Sequence, residues 1–315
     1  MRIGYGLSTE EYRPADLIRQ AELAQEAGFA SLWVADHFHP WTGEQGQASF
    51  VWSLIGALAQ ATTLPIITGV TCPIVRTHPV IVAHAAATCA VLTEGRFTLG
   101  VGTGEALNEH VLGDRWPRAG QRLEMLEEAI GVMRALWSGR VVNRRGTYYT
   151  VENARLYTLP ETPVPVYVSG LGRRSVGLAA RVGDGYVATR PEADGVTRFR
   201  EAGGGDKPAV AGAKACWAKT ADEARDIAHR LWASESLTGE LNRLLPTPED
   251  FEQAVRLVTP EMVTMPCGPD AGPHVAAARA YRDAGFDTLH VGAVGPHYRE
   301  MIKLYRDEVI PALAG

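Results

Sequence analysis

Apolar positions along the chain alternate between two periods from the N-terminus onward. Short runs typical of β-strands are separated by longer stretches in which apolar residues recur at helical spacing, and Gly or Pro marks most of the joints. In the first half, the strand-like runs lie at 2–8, 31–37, 64–71 and 95–104, and the helix-like stretches at 14–29, about 50–62, 79–93 and about 119–138. This order predicts repeated strand–helix–strand units around a parallel sheet.

The second half supplies four more strand-like runs, at 164–170, 183–190, 208–218 and 286–294. Eight strands separated mostly by helices, without a Ser/Gly-rich linker, predict a closed (β/α)8 TIM barrel formed by residues 1–315 as a single domain; two doubly wound domains are the alternative. Two stretches depart from the repeat. Residues 141–160 predict an excursion of short β segments, and residues 233–262 predict a helical insertion that is either a lid over the substrate or a structural element.

Composition narrows the class of partner. A chain of 315 residues that is 46% hydrophobic can bury a large core, and its formal net charge of -5 offers no basic surface to nucleic acid or an anionic membrane. The N-terminus lacks the apolar stretch of a signal peptide and no apolar run is long enough to cross a bilayer, so we expect a cytoplasmic protein with a small-molecule substrate. Cys72, Cys89, Cys216 and Cys267 follow no Cys-x-x-Cys pattern, and we expect reduced thiols.

In a TIM barrel the segments that follow the strands face one common site. The second to fifth predicted strands end in polar or Gly-rich segments: Asp36-His37, Gly69-Val70-Thr71, Gly102-Thr103-Gly104-Glu105 and Ser169-Gly170-Leu171-Gly172. We therefore expect these four segments to converge on the active site.

The segment VADHFHPW at 34–41 contains two histidines and an indole. His37 and His39 resemble metal ligands, but no third ligand follows at a metal-site spacing, and we predict no metal. Trp41 either covers the barrel mouth or stacks on a flat cofactor or a cation. Glu105 either forms an acid/base pair with His37 or caps the next helix.

The segment SGLGRRS at 169–175 ends a strand and opens a helix. Its backbone N–H groups, with Arg173 and Arg174, can receive an anion at a helix N-terminus. It is not the dinucleotide fingerprint, because Ser175 stands at the third glycine position. A nucleotide-like phosphate matches better, since barrel enzymes frequently bind phosphate at late βα loops.

Five segments together resemble the coenzyme F420-dependent branch of the luciferase-like barrel oxidoreductases, in particular the F420-dependent glucose-6-phosphate dehydrogenase group. They are WVADHFHPW (33–41), GVTCP (69–73), GTGEALNE (102–109), SGLGRRS (169–175) and RVGDGYVAT (181–189). The resemblance covers nearly the whole chain. It implies a homodimeric barrel with F420, an 8-hydroxy-5-deazaflavin, in its mouth, and hydride transfer between that ring and an alcohol carbon.

The resemblance also implies roles for individual residues. His37 is the expected base, Glu105 the proton donor or relay near the ring, and Trp41 an active-site aromatic. The expected cofactor contacts are Asp36, Gly69, Val70, Thr71, Gly104, Asn108, Ser169, Gly170, Leu171, Gly172 and Arg173, with Gly170, Gly172 and Arg173 around the phosphate and a cis peptide bond at Gly69-Val70. Removing a hydride from an alcohol carbon requires a base for the hydroxyl proton, which agrees with the role of the histidine.

The chain departs from the sugar-phosphate members where these have basic residues. Glu192, Asn242 and Glu261 or Met262 stand near those positions, although a small shift of register would bring in Arg190 or Arg243 instead. Carboxylates there either repel a phosphate and attract an ammonium group, or are simply solvated. The expected substrate is therefore a sugar, an amino sugar or a related alcohol rather than a sugar phosphate.

Three other functions stay open on the sequence. A redox-neutral F420-dependent epimerase of an amino sugar would return the hydride to the other face of the same carbon. An FMN-dependent monooxygenase of the same superfamily would share the barrel but needs an oxygen-reactive flavin. A protein that binds a deazaflavin or a sugar without turning it over is the third.

Overall fold

Eight parallel strands close into a barrel in the computed structural model, which describes residues 1–313. The barrel strands are β1 (Arg2–Leu7), β2 (Leu32–Val34), β3 (Ile66–Thr68), β4 (Phe97–Val101), β7 (Val166–Ser169), β8 (Gly185–Ala188), β9 (Ala209–Cys216) and β10 (Thr288–Val294). Strands β5 (Val142–Arg145) and β6 (Thr150–Ala154) lie outside the barrel. The barrel order is β1-β2-β3-β4-β7-β8-β9-β10, and β10 pairs with β1 to close it. The predicted closed barrel is confirmed, and the doubly wound alternative is wrong.

Helices surround the barrel and follow most of its strands. They are α1 (Pro14–Glu26), α2 (Val51–Ala61), α3 (Pro79–Leu92), α4 (Ala106–Glu109), α5 (Ala119–Leu136), α6 (Arg173–Val182), α7 (Ala193–Phe199), α8 (Ala221–Trp232), α9 (Leu241–Leu244), α10 (Pro248–Ala254), α11 (Ala271–Asp283), α12 (Tyr298–Leu304) and α13 (Ile310–Leu313). No helix within residues 1–313 is both long and apolar enough to cross a bilayer.

Two similar joints show how the sequence sets the repeat. Gly28 after α1 and Gly285 after α11 have φ values of +82° and +92°, a backbone region in which glycine meets no penalty from a Cβ. Each glycine ends its helix, and the Phe that follows, Phe29 or Phe286, is buried between helix and barrel. The local phrases EAGF and DAGF therefore specify helix stops that return the chain to the next strand.

The barrel interior is filled by two large side chains, Trp33 and His290. Glycine makes room for each: a Cβ on Gly69 would lie 1.7 Å from Cε2 of Trp33, and one on Gly4 would lie 2.3 Å from Cδ2 of His290. His290 Nδ1 lies 3.2 Å from the Ala211 carbonyl oxygen, which can only accept, so this nitrogen carries the hydrogen. Burial lowers the pKa of His290 to about 4, and the ring is neutral.

The two stretches that depart from the repeat form separate structures at the barrel's edge. Strands β5 and β6 pair antiparallel, as the excursion at 141–160 predicts. Residues 233–262 are largely helical, with α9, α10 and short 3-10 turns. This insertion buries Leu237, Phe251 and Val258 in a small cluster with Leu107, against which Trp41 packs. The insertion is thus joined by apolar contacts to the loop that follows β2.

Candidate active site

A cavity of ≈ 1190 Å³ lies where the barrel strands end. Its size suits a ligand that includes a fused ring system together with a small second molecule. The predicted site residues that line it are His37, Trp41, Gly69, Val70, Gly104, Glu105, Ser169, Gly170, Leu171, Gly172, Arg173, Glu192 and Asn242. The four strand ends singled out by the sequence therefore converge, and the peptide bond between Gly69 and Val70 is cis as expected.

Four predicted residues do not line the cavity. Asp36, Thr71 and Asn108 are buried directly behind it. Thr71 donates a hydrogen bond to Asp36, and Asn108 accepts one from the backbone N–H of Phe38 in the loop after β2. Glu261 lies on an exposed turn, and the next residue, Met262, lines the cavity instead. The first three can act on a ligand through the residues they hold, whereas the expected pocket position of Glu261 is taken by a thioether.

His37 is held on both ring nitrogens. The side-chain oxygen of Asn108 accepts from the backbone N–H groups of Phe38 (2.9 Å) and His39 (3.2 Å), which orients its amide nitrogen as a donor to His37 Nδ1 at 3.2 Å. The His39 carbonyl oxygen lies 3.1 Å from the same nitrogen. Nδ1 can accept from Asn108, with the ring hydrogen on Nε2, or donate to the His39 carbonyl oxygen, which leaves the lone pair of Nε2 unprotonated. The second tautomer is the one in which Nε2 can take a proton.

Glu10 faces the other side of the imidazole and was missed by the sequence analysis. Its Oε1 lies 3.5 Å from His37 Nε2, both side chains line the cavity, and Glu10 is 3% exposed. Its Oε2 is buried without a hydrogen-bond partner. Glu10 follows β1 in the segment Ser8-Thr9-Glu10, so the rule applied to four other strand ends would have found it. A carboxylate here stabilises the imidazolium that forms when His37 takes a proton.

Trp41 connects the histidine to the insertion. Its ring centroid lies 5.1 Å from that of His37 and 5.1 Å from that of Phe251 in α10. The backbone N–H of Trp41 donates to Gln45 Oε1 at 2.8 Å, which fixes the loop. The indole is therefore both a wall of the cavity and a packing contact of residues 233–262.

Asp36 belongs to a buried charge network behind the cavity. Its two carboxylate oxygens accept from Thr71 Oγ1 at 2.8 Å and from Arg76 Nη2 at 2.9 Å. Arg76 also contacts Glu109, whose Oε2 accepts from the Arg76 backbone N–H at 2.9 Å. Burial raises the pKa of Glu109 to about 7 although Arg76 opposes that shift. Arg76 is therefore the cation next to two carboxyl groups, Asp36 and Glu109. Its single positive charge can balance only one of them, and the direct 2.9 Å contact is with Asp36.

We expect the Glu109→Gln variant to lose a pH dependence of stability. In the folded protein Glu109 binds its proton up to pH about 7, against the ordinary value of 4.5, so its contribution to stability is present below pH 4.5 and is lost as pH rises through 7. The wild type should lose about 2 to 3 kcal/mol of unfolding free energy from this group between pH 5 and 8. Urea unfolding across that range measures it, with Glu22→Gln on the exposed face of α1 as control. Parallel curves for the wild type and Glu109→Gln would contradict the assignment.

Glu105 lies at the start of α4 and lines the cavity. Glu105 is the N-cap residue of α4, as the helix-cap interpretation predicts, although its side chain makes no capping hydrogen bond. The carboxylate Oε2 lies 3.5 Å from the amide nitrogen of Asn108, the same amide that faces His37. Glu105 and His37 therefore share Asn108 as a neighbour, with both side chains on the cavity.

The Gly-rich loop after β7 leads into α6. Gly170 uses its backbone fully: its N–H donates to Val187 at 3.2 Å and its carbonyl accepts from Tyr186 at 2.6 Å. The N–H of Gly172 donates to Ser175 Oγ at 3.1 Å. The N–H groups free for an anion are consequently those of the first turn of α6, which starts at Arg173. Gly170 is required for packing, since a Cβ there would lie 2.8 Å from the Ser175 backbone.

The polar residues on the β9 side of the cavity are also absent from the sequence prediction. Lys214 on β9 forms an ion pair with Glu235, and Ser234 beside it is 2% exposed; all three line the cavity. Lys214 lies inside a predicted strand, where alternation places every second side chain in the barrel. This alternation is the sequence signal that could have placed Lys214 in the cavity. Within residues 1–313, no group of three or more His, Cys, Asp or Glu side chains is arranged to hold a metal ion.

The sequence of the chain matches a known protein family. Residues 1–288 match the family described as luciferase-like monooxygenase. The chain belongs to that family. Among curated relatives of this luciferase-like chain, the F420-dependent glucose-6-phosphate dehydrogenase of Microbacterium testaceum is 34% identical, with 99% of this chain and 97% of the relative aligned. The F420-dependent hydroxymycolic acid dehydrogenase of Mycobacterium tuberculosis is also 34% identical, over 99% of this chain and 88% of the relative.

A solved structure of the family is similar throughout. It is an F420-dependent secondary alcohol dehydrogenase in complex with an F420–acetone adduct, with a TM-score of 0.91, 34% identity, and coverage of 99% of this chain and 98% of that one. The relatives thus share a cofactor and act on different alcohols by their names, so the fold and the motifs do not by themselves fix the substrate.

Proposed function

We propose that this luciferase-like chain is an F420-dependent oxidoreductase that acts on an alcohol carbon of a small uncharged or amine-bearing polyol. The observation that carries the proposal is the His37 imidazole, held between Glu10 and Asn108 on the wall of a cavity that also contains the Gly-rich loop. The relatives that share its motifs across nearly the whole chain are F420-dependent dehydrogenases.

The cavity residues fit a deazaflavin. Gly69, Gly102 and Gly104 remove side chains from the strand ends, and a Cβ on Gly102 would lie 2.7 Å from Val70 Cγ2. The first turn of α6 with Arg173 and Arg174 would hold the phosphate, since free N–H groups and two cations face the same cavity. Backbone at these glycines can approach a flat ring closely.

A bound deazaflavin supplies the carbon that accepts or returns the hydride, and the chain supplies the proton chemistry. When the substrate is oxidised, His37 takes the hydroxyl proton, and the ring becomes an imidazolium that Glu10 stabilises by charge. Asn108 keeps the His37 loop in place by accepting from the backbone N–H groups of Phe38 and His39. Glu105, on the same cavity and beside Asn108, is the group that would relay a proton to the reduced ring.

The charge pattern of the cavity supports a substrate without a phosphate. Lys214 is paired with Glu235, and Arg243 is paired with Glu240 at 2.9 Å. Glu192 lies two residues from Arg190 on the loop after β8, and both line the cavity. An anionic substrate group would have to compete with these carboxylates for Lys214 and Arg243, whereas hydroxyl groups can bind to both members of a pair.

The test is the reduction of oxidised F420, followed optically, with glucose 6-phosphate, unphosphorylated sugars and amino sugars as substrates. We expect turnover with unphosphorylated polyols and little with the phosphosugar. Tight retention of FMN with oxygen uptake on reduction would favour the monooxygenase instead. Absence of net reduction with deuterium exchange at a substrate carbon would favour the epimerase.

We also propose that the chain forms a homodimer through helix α3. Helix α3 has the sequence PVIVAHAAATCAVL, and its side chains Ile81, Val91 and Leu92 are exposed. A helix that is apolar on all sides is expected to be covered. We expect a second copy of the chain on this face, and light scattering at the mass of one chain would contradict that expectation.

A further inference from the structure

The wall of the cavity formed by β9 contains a lysine at a glycine-lined level of the barrel. Lys214 on β9 pairs in register with Gly292 on β10, and Gly292 lies opposite Gly6 on β1. All three residues line the cavity. The next two residues at this level, Gly292 on β10 and Gly6 on β1, are both glycines, so no side chain from this level stands between the lysine and the segment that contains Glu10.

The Lys214 ammonium is fixed by two neighbours. It donates a hydrogen bond to Glu235 Oε1, and it lies 3.9 Å from the centroid of the Trp232 ring. Trp232 is held in turn, because its indole N–H donates to Glu11 Oε2 at 2.7 Å. A cation placed over an aromatic face and beside a carboxylate has little freedom to turn elsewhere. The pair is therefore a preformed donor and acceptor.

Ser234 provides an independent sign that a ligand binds here. Ser234 lines the cavity, and its hydroxyl is buried without a hydrogen-bond partner in the structure. Buried polar groups are normally satisfied, and one that faces a cavity is available to a ligand. Ser234 precedes Glu235 in the same short turn at 233–236, so the hydroxyl, the carboxylate and the ammonium form one cluster.

We infer that Glu235 determines the substrate class of this enzyme: with Lys214 and Ser234 it forms a subsite for hydroxyl groups, and by neutralising Lys214 it excludes phosphate and carboxylate groups. The inference rests on the proposed function, because it names the substrate of that same site. An ammonium next to a carboxylate offers a donor and an acceptor to two neighbouring hydroxyls. A phosphate at the same place would approach the Glu235 carboxylate as a like charge.

The first experiment measures inorganic phosphate binding by calorimetry and needs no turnover. Glu235→Gln removes the carboxylate charge and keeps a side chain of similar shape, so Lys214 becomes free to bind an anion. We expect Glu235→Gln to bind phosphate about 10- to 100-fold more tightly than the wild type, and Glu235→Gln/Lys214→Met to lose that gain. Glu22→Gln, which removes an exposed carboxylate from the Arg19–Glu22 pair on α1, is the matched control and should bind phosphate as the wild type does. Unchanged affinity in Glu235→Gln, or a gain that survives loss of the lysine, overturns the inference.

The second experiment separates this inference from the proposed function. With F420 as oxidant, Glu235→Gln should raise KM for an unphosphorylated polyol and lower KM for its phosphate ester, each about tenfold, with a smaller change in kcat. A wild type that turns over polyols while Glu235→Gln leaves both KM values unchanged overturns the inference alone. If none of the tested alcohols supports reduction of F420 by the wild type, the proposed function is overturned. Phosphate calorimetry still decides the role of Glu235 in that case.

Discussion

The His37→Ala variant is expected to lose kcat for alcohol oxidation by a factor of about 10² to 10⁴, the usual contribution of a general base. KM should change much less, because His37 contributes one of many cavity contacts and its main role is to accept the proton as the hydride leaves. F420 affinity should be retained, since the Gly-rich loop and the first turn of α6 are untouched. Initial rates of F420 reduction and a fluorescence titration of the cofactor measure the two quantities.

Two further variants interpret the His37→Ala result. Glu22→Gln in the exposed Arg19–Glu22 pair of α1 is the control and should behave as the wild type does. Glu10→Gln keeps the hydrogen-bond geometry but removes the charge that faces Nε2, so we expect a loss in kcat of about tenfold with unchanged cofactor affinity. If His37→Ala turned over at the wild-type rate, His37 would not be the base, and the assignment of the site would fail with it.

The Gly69→Ala variant is expected to be strongly destabilised. The added Cβ would lie 1.7 Å from Trp33 Cε2 and 1.9 Å from Nε1, and the indole is packed against Ile67, Val187 and Val210 inside the barrel. Overpacking typically costs about 1 to 3 kcal/mol, and we expect a loss at the upper end of that range because the neighbour is a rigid ring. The midpoint of urea unfolding measures the loss.

The clash with Trp33 can be tested as a coupling energy. Trp33→Val should itself be destabilising, because it leaves a cavity, but Gly69→Ala/Trp33→Val should be less destabilised than the sum of the two, by about 1 kcal/mol or more. Gly56→Ala in α2 is the matched control: its Cβ would meet nothing within 4 Å, and alanine in a helix should raise stability slightly. Additive losses would mean that the backbone near Gly69 moves and the indole does not block the Cβ.

The periodicity of the sequence was sufficient for the barrel and for half of the site. Strand ends such as Asp36-His37 and Gly104-Glu105 were recognisable because a parallel barrel brings all such ends to one face. Glu10 follows the same rule and could have been found with it. Which strand-end residues line the cavity, and which lie behind it as Asp36 and Asn108 do, depends on side-chain direction that a linear pattern does not carry.

The pocket on the substrate side was harder to predict for a physical reason. Lys214 and Glu235 are 21 positions apart, and their pairing depends on how the turn at 233–236 packs against β9. Of the residues predicted for the substrate side, Glu192 and Asn242 line the cavity and Glu261 does not, whereas Lys214 and Glu235 line it without having been predicted. A sum of charges along the sequence does not show which cations are paired, so it does not predict how much positive charge the pocket offers to a substrate.

The cavity is divided between two sets of residues, because residues 233–262 pack against Trp41 and add to walls that otherwise come from the barrel. The barrel strands and the start of α6 present the groups expected around the coenzyme, together with His37 and Lys214, whereas the insertion contributes Ser234, Glu235 and Met262. On the proposed function, substitutions within this one segment would change the alcohol that is accepted while the coenzyme groups and the base stay in place. Relatives that share a coenzyme and differ in substrate are what such a division would produce.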